Sequence, residues 1–484
     1  MAIPGAGVAA LGAARVLPGL RPKTTAYLSV RHAGQVSLES SDPRLTQAFD
    51  RAKNRALECV YSGDPIGDWY ASSPKTDVFC MRDLSHESLG ASVLGLTLQT
   101  ANMLRRFALS VAHSRKWCGY WLITKDGFPS PQSYFNDTDF GYCLPASLDL
   151  VRACYRQFLW TGDRAYLDAD FSSFYEHTVV SYVSAWDRDH TGIMKADPER
   201  KRISGSYRQH SRFQTGADLV AAQYAAYRAY AEIQESKGAP GSLSARRAVE
   251  YRGQAEALRR RFNTEWWNPS IGHFYSGMLP DGAFDGEYAD QSNVYSLWFG
   301  IPEPGPKTEA SLDAMEKSRP KYDSNYSYYP EVLYHYGRNE SAHRFLLEIA
   351  DPNFSGYALT ETAFAAVGAI TSGLMGISPD APRRIVETLP RLGAQTAWVR
   401  MSHIPFFMND IAVEHRGVTE TTLTNQSGPD LQWKASFSVN GPARILIDGA
   451  PVPVTMDQRP GGQQVASAVV SVPSGRRRVA IVRS

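Results

Sequence analysis

The segment Thr76-Asp77-Val78-Phe79-Cys80-Met81-Arg82-Asp83-Leu84-Ser85-His86-Glu87 concentrates more chemistry than any other part of the chain. Within six residues it offers an arginine, two carboxyl groups and an imidazole. Such a set can hold one carboxyl protonated and another ionised, which is what general acid–base work requires. An apolar, small-residue run, Leu89 to Leu98, follows directly. Ser85 is a helix-capping residue type, so a helix is expected from there, with Arg82, Asp83, His86 and Glu87 at its mouth. Asp83 and Glu87 are four apart and would share a face if the first turn began earlier. A plain cap with an Arg–Asp ion pair would use the same residues, so the segment needs a context.

That context comes from the elements around it. From Ser41-Asp42-Pro43, a cap followed by a first-turn proline, the chain reads as helix after helix. The expected helices are Arg44–Cys59, Ser85–Leu96, Gln99–Ser114, Phe140–Trp160, Arg164–Trp186, Phe213–Gln234, Ser244–Trp266, Tyr288–Phe299, Thr308–Lys317, Tyr326–Tyr336, Asn339–Ile349 and Thr360–Leu374. Odd members carry charged faces, as in Arg246-Arg247-Ala248-Val249-Glu250. Even members are rich in Ala, Gly, Ser, Leu and Tyr, as in Ala363-Phe364-Ala365-Ala366-Val367-Gly368-Ala369. A helix apolar all round is buried on all sides. Six buried helices alternating with six amphipathic ones predict a mainly α protein, an (α/α)6 toroid of six helical hairpins. No short repeat period supports a solenoid instead.

In such a toroid the segments leading into the inner helices line one funnel, and they hold the unusual polar and aromatic residues. The second contains Asp137 and Asp139, and the third runs from Tyr207 through His210 and Arg212 to Gln214. The fourth holds Asp290 and Gln291, the fifth Tyr328, Tyr329 and Glu331, and the sixth Glu361. Aromatic faces beside amides and carboxylates suit sugars, which present C–H faces and a fence of hydroxyls. The expected partner is an oligo- or polysaccharide.

Composition narrows the field. Among 484 residues, 51 basic and 49 acidic ones leave a net charge of +2, so nothing points to nucleic acid or a membrane surface. The five cysteines, Cys59, Cys80, Cys118, Cys143 and Cys154, form no CxxC pair and read as buried small apolar residues. GxGxxG, P-loop, GxSxG and HExxH motifs are absent, and no cofactor or metal is expected. Asp187-Arg188-Asp189-His190-Thr191-Gly192 lacks the full ligand spacing of a calcium loop and reads as a turn. No segment beyond the N-terminus approaches the ~18 apolar residues of a membrane span.

Both ends depart from the helical pattern. Residues 1–22 form an apolar tail; Met1 to Leu20 includes a single Arg and no acid precedes Glu39. This resembles the core of an export signal without its charged start, and suggests a periplasmic or secreted protein. Residues 23–41 read as a β lead-in, with strands at Ala26–Val30 and Gln35–Leu38. The toroid is assigned to 42–377. Beyond Gly376-Ile377-Ser378-Pro379 the pattern alternates by twos, as in Glu420-Thr421-Thr422-Leu423-Thr424, predicting a C-terminal β-sandwich over 378–484.

A short β lead-in, six helical hairpins and a β-sandwich, in that order, resemble the six-hairpin glycosidase superfamily, and bacterial α-L-rhamnosidases most nearly. The likeness is best at Thr362–Ala369 with Gly376–Pro382, and extends to Asp290-Gln291-Ser292-Asn293, Leu297-Trp298-Phe299-Gly300-Ile301 and Arg82-Asp83. Rhamnosidases carry an Arg-Asp-Glu run with the general acid after the aspartate. Here Leu84 follows Asp83 and the next acid is Glu87; the rhamnosidases' late Trp-Glu has no counterpart before Thr360. The resemblance implies a glycoside hydrolase, inverting as most of the superfamily are. Paired carboxylates are then expected, with Glu87 or Asp83 as the acid, Arg82 holding the other ionised, and Glu361, Glu331 or Asp290 as the base. Asp137 and Asp139 would hold sugar hydroxyls. A polysaccharide lyase is the rival, since Arg82, Arg208, Arg212, His86, His210, Tyr207 and Tyr329 could serve β-elimination at a uronate. A non-catalytic glycan-binding protein is the third reading.

Overall fold

The computed structural model describes residues 34–207, 212–320 and 323–483. The apolar tail and the strand expected at Ala26–Val30 lie outside the described residues.

All twelve expected helices are present. They are α1 (Pro43–Leu57), α2 (Met81–Val93), α3 (Thr97–Leu109), α4 (Pro145–Thr161) and α5 (Ala169–Glu176, continued by His177–Tyr182 and Val183–Trp186). Next come α6 (Ala217–Lys237), α7 (Leu243–Glu265), α8 (Asp290–Phe299) and α9 (Pro306–Lys317). The last three are α10 (Tyr329–His335), α11 (Asn339–Ile349) and α12 (Thr360–Gly368, continued by the π-helical Ala369–Leu374). The even helices form a closed ring: α2 packs on α4, α4 on α6, α6 on α8, α8 on α10, α10 on the end of α12, and α12 back on α2. Burial follows the sequence logic. In α2 every residue but Arg82 is buried, whereas α7 buries only one stripe that includes Ala248, Tyr251, Ala255 and Leu258.

Ring closure depends on small residues. Gly90 of α2 lies against the backbone of Phe364 in α12, and a Cβ there would overlap the Phe364 carbonyl. Gly368 answers it across the crossing, beside Leu89 and Gly90. Between α2 and α4, Ser92 Oγ donates to Gln157 Oε1 (2.7 Å), and Gln157 Nε2 donates to the Ser88 carbonyl (2.9 Å).

The two ends of the toroid differ. Connections entering the inner helices are long, spanning 58–80, 110–144 and 187–216 among others; those leaving them are short, as at 94–96 and 238–242. The long connections build the funnel. The C-terminal β-sandwich covers the short-loop end. One sheet has the order β1 (Ser37–Ser40), β4 (Trp398–Phe406), β5 (Asn409–Arg416), β6 (Glu420–Ser427), β12 (Arg476–Arg483), β8 (Arg444–Ile447), β9 (Ala450–Val452). The other runs β2 (Ser378–Asp380), β3 (Ile385–Thr388), β7 (Leu431–Ser438), β11 (Gln464–Val472), β10 (Thr455–Gln458). The lead-in strand β1 is antiparallel to β4, with Leu38 opposite Met401, so the start of the described chain is stitched into the C-terminal sheet. Trp160 Nε1 donates to the Pro405 carbonyl (2.7 Å), tying the end of α4 to the sandwich.

All five cysteines are buried and free. At Asp187–Gly192 the Asp187 carboxylate accepts from the backbone N–H groups of Thr191 and Gly192 (2.9 Å each), which makes the segment a turn.

Candidate active site

The strand Val78–Cys80 pairs with Leu122–Thr124 and delivers the chain directly into α2, which therefore starts at Met81 rather than at Ser85. Cys80 occupies the N-cap position without a side-chain cap, and Ser85 Oγ donates back to the Met81 carbonyl (3.0 Å). Arg82 and Asp83 thus lie in the first helical turn and His86 and Glu87 in the second.

Across the α2–α12 crossing Glu361 completes the cluster from the first turn of α12. Arg82 Nη2 donates to Asp83 Oδ1 (2.8 Å) and to Glu361 Oε2 (3.1 Å). His86 Nδ1 lies 3.0 Å from Glu361 Oε1. An ionised carboxylate only accepts, so Nδ1 carries the proton in this contact. The His86 ring stacks on Tyr328 with centroids 3.5 Å apart and meets the edge of Trp298.

The three carboxyl groups experience different fields. Burial raises Asp83, Arg82 pulls it down and Glu361 pushes it up, with a net rise. Burial, aided by Asp83 and Glu361, drives Glu87 well above the usual carboxylate range. Burial also opposes ionisation of Glu361, but Arg82 and His86 outweigh it and hold the group below its ordinary value. For Arg82, burial works against the charge and Glu361 and Asp83 more than restore it. The cluster thus sets one carboxyl group shifted down against two shifted up.

Access separates those two acids. The side chains of Arg82 and Asp83 keep 18% and 13% exposure, while Glu361 keeps 2%. Glu87 is 1% exposed and its Oε1 has no partner. Asp83 can therefore meet a ligand in the funnel, and Glu87 is sealed behind it.

The other expected residues divide into groups. Asp290 opens α8, which stands opposite α2 in the ring of six; its Oδ1 is buried without a partner, and Gln291 beside it is buried. Asp137 accepts from Arg115 (2.6 Å) and Tyr134 (2.7 Å), while Asp139 pairs with Arg202 (3.1 Å) at an exposed position. Arg212 is committed to Asp285 (2.7 Å) and Glu287 (2.6 Å). Gln214 is half-buried and holds the loop through its backbone, donating to the Met278 carbonyl. Tyr207 is buried and donates to Asp149 Oδ2 (2.9 Å). Tyr328 and Tyr329 are fully buried packing residues, and not walls of an open funnel. Glu331 accepts from Arg156 (3.2 Å) and lines a cavity at the other, short-loop end of the toroid. Arg208 and His210 lie outside the described residues.

Sequence reasoning passed over Asp149, Arg152 and Arg156. The signal was present: three charges at i, i+3 and i+7 of an otherwise apolar inner helix share one face, and here that face points into the ring. Asp149 is buried and pushed up to about 6 by that burial, against the pull of Arg152 and the Tyr207 hydroxyl.

No family model matches the chain, and no curated protein matches it. Solved structures do. The GH78 family rhamnosidase of Bacillus sp. GL1 aligns with a TM-score of 0.59 at 14% identity, covering 81% of this chain and 40% of that one. The Streptomyces avermitilis α-L-rhamnosidase complexed with L-rhamnose gives 0.59 at 14%, covering 92% and 42%. A putative kojibiose phosphorylase from the human microbiome gives 0.58 at 10%, covering 94% and 64%. The chain spans about two fifths of the length of these two rhamnosidases. The helical toroid with its C-terminal β-sandwich is thus the fold of the rhamnosidase-like glycoside hydrolases.

Proposed function

We propose that the protein is a glycoside hydrolase with Asp83 as general acid and Asp290 as general base. The observation that carries the reading is the asymmetry of the Arg82 cluster. Glu361 is held ionised, Asp83 is biased toward its proton, and of the cluster's three carboxyl groups Asp83 reaches the funnel most. Asp83 and Glu361 cannot themselves form the catalytic pair. Both bond the same guanidinium nitrogen at 2.8 and 3.1 Å, so these oxygens are closer than the ~6.5–9.5 Å that an inverting pair keeps for its water. The second carboxylate must come from across the ring, where Asp290 opens the opposite inner helix. In the reaction Asp83 gives its proton to the glycosidic oxygen as the bond from C1 breaks. Asp290 takes a proton from the water that attacks C1 from the other face, and the anomeric centre inverts. Arg82 positions Asp83 and keeps Glu361 ionised, and Glu361 in turn helps keep the acid protonated.

The lyase alternative needs a free cation for the uronate carboxylate, but Arg82 and Arg212 are each shared between two acids, and Tyr207 is committed to Asp149. The rhamnosidase fold makes an aryl α-L-rhamnoside the first substrate to try, within a panel of aryl glycosides and natural glycans. On whichever substrate turns over, Asp83→Asn and Asp290→Asn should each lower kcat by about 10²–10⁴-fold with the fold retained by circular dichroism. Near-normal turnover in either variant removes that residue from its role, and growth of an unsaturated-uronate absorbance during digestion would establish elimination instead.

A further inference from the structure

A cavity away from the funnel plays no part in the proposed reaction. It sits where the inner helices end and the β-sandwich covers them, and its volume is about 510 Å³. This is within the ~300–1,000 Å³ of small-molecule sites. Its wall carries five arginines against three glutamates. Arg152 and Arg156 come from α4, Arg391 from the segment after β3, and Arg459 from the connection between β10 and β11, so toroid and sandwich build it jointly.

These arginines are poorly satisfied. Arg152 Nη2 donates to the Trp298 carbonyl (3.3 Å) and its guanidinium lies 4.0 Å from the Trp298 ring centroid, yet Nη1 is buried with no partner. Arg156 gives Nη2 to Glu331, and its Nη1 is likewise buried and unpaired. Arg391 is more than nine-tenths buried; its Nη1 donates to the carbonyls of Ser372 (3.1 Å) and Gly373 (2.7 Å), while Nε has none. Arg459 pairs with Glu387 and leaves its own Nε unpaired. Like charges also face each other: burial and Arg156 hold Arg152 down to about 10, and burial and Arg459 do the same to Arg391. Dehydrated guanidinium donors in excess of their acceptors are the arrangement that a bound oxyanion relieves, through charge-assisted and often bidentate bonds.

We propose that this cavity binds a small solute bearing an oxyanion, a carboxylate, sulfate or phosphate group, at the junction of toroid and sandwich and apart from the funnel. The test is calorimetric titration of the full chain with sodium sulfate, sodium phosphate and sodium glucuronate, each against sodium chloride at equal ionic strength. At least one probe should bind saturably at one site. Arg156→Met and Arg459→Gln, the second at the less enclosed rim, should each weaken it tenfold or more, and Asp83→Asn should leave it unchanged. Tighter glucuronate binding assigns an acidic sugar; tighter phosphate or sulfate binding assigns an inorganic anion or an ester of one. No saturable binding beyond chloride overturns the proposal. So does wild-type affinity in both arginine variants, or affinity lost in Asp83→Asn but kept in those variants, which would place the ligand in the funnel.

Discussion

At the residue scale, Glu361 and Glu87 are both buried acids near Arg82, and their surroundings shift them in opposite directions. Glu361 is ionised between Arg82 and His86, and its folded value lies below the ordinary one. Its contribution to stability is thus present above the usual carboxylate range and lost as pH falls through the folded value. Glu87 is raised, so its charged form opposes folding as pH climbs past the ordinary carboxylate value. Neutral amides should then separate them. Glu361→Gln leaves a buried guanidinium short of one anion and should cost about 3 kcal/mol at pH 7, the scale for breaking a buried pair. Glu87→Gln mimics the protonated acid and should cost far less. Denaturant melts at pH 7 decide it; a greater loss for Glu87→Gln would reverse the assignment. The run from Arg82 to Glu87 was legible because its members are neighbours in sequence. Its partner Glu361 stands 275 residues from His86, and no local pattern states that pairing. Asp149, Arg152 and Arg156 went unread because each alone looks like a stray charge in an apolar helix.

At the element scale, the helices were legible, and some of their beginnings were too: α11 and α12 start at the expected Asn339 and Thr360, while α2 and α4 start elsewhere. Burial on all sides leaves a compositional mark, which is why α2, α6 and α12 stand out in the chain. The starts moved where a competing element took the residues. Met81 to Leu84 joined α2 because the strand Val78–Cys80 enters it without a capping turn, and Phe140 went to a short strand ahead of α4. The shift at α2 matters chemically, since it turns Arg82 and Asp83 from loop residues into a rigid first turn. That turn meets Glu361 only if α2 and α12 approach closely, and Gly90 permits the approach. Gly90→Ala would drive a methyl into the Phe364 carbonyl. It should cost about 1–3 kcal/mol as overpacking does, and it should also lower kcat by spreading Arg82 and His86 from Glu361. A variant with wild-type melting and full activity would show that the crossing tolerates the added carbon.

At the scale of the whole molecule, toroid and sandwich act as one body, because the chain crosses between them at both ends. Strand β1 belongs to the sandwich sheet although it precedes the first helix, a long-range pairing that period-two alternation could not reveal. Where the sandwich meets the end of α12, His415 is fully buried, with Nδ1 2.8 Å from Thr421 Oγ1 and Nε2 3.0 Å from the Met375 carbonyl. Burial holds it down to about 4 from an ordinary 6.5, with the nearby Arg391 acting in the same direction. The folded protein therefore keeps this imidazole neutral, while the unfolded chain takes up a proton below about 6.5. The stabilisation is complete above that pH and declines as pH falls toward 4, by about 3 kcal/mol in all at ~1.4 kcal/mol per pH unit. Equilibrium unfolding between pH 7 and pH 4 should show this slope. His415→Gln, which keeps hydrogen-bonding capacity but cannot gain a proton, should start less stable at pH 7 and lose less over the interval. Groups common to both proteins, Asp149 raised to about 6 and His335 held down to about 4 among them, cancel in the difference between the two curves, which isolates His415. Parallel slopes would mean that the junction accommodates the charged ring, and that the two layers part before His415 titrates.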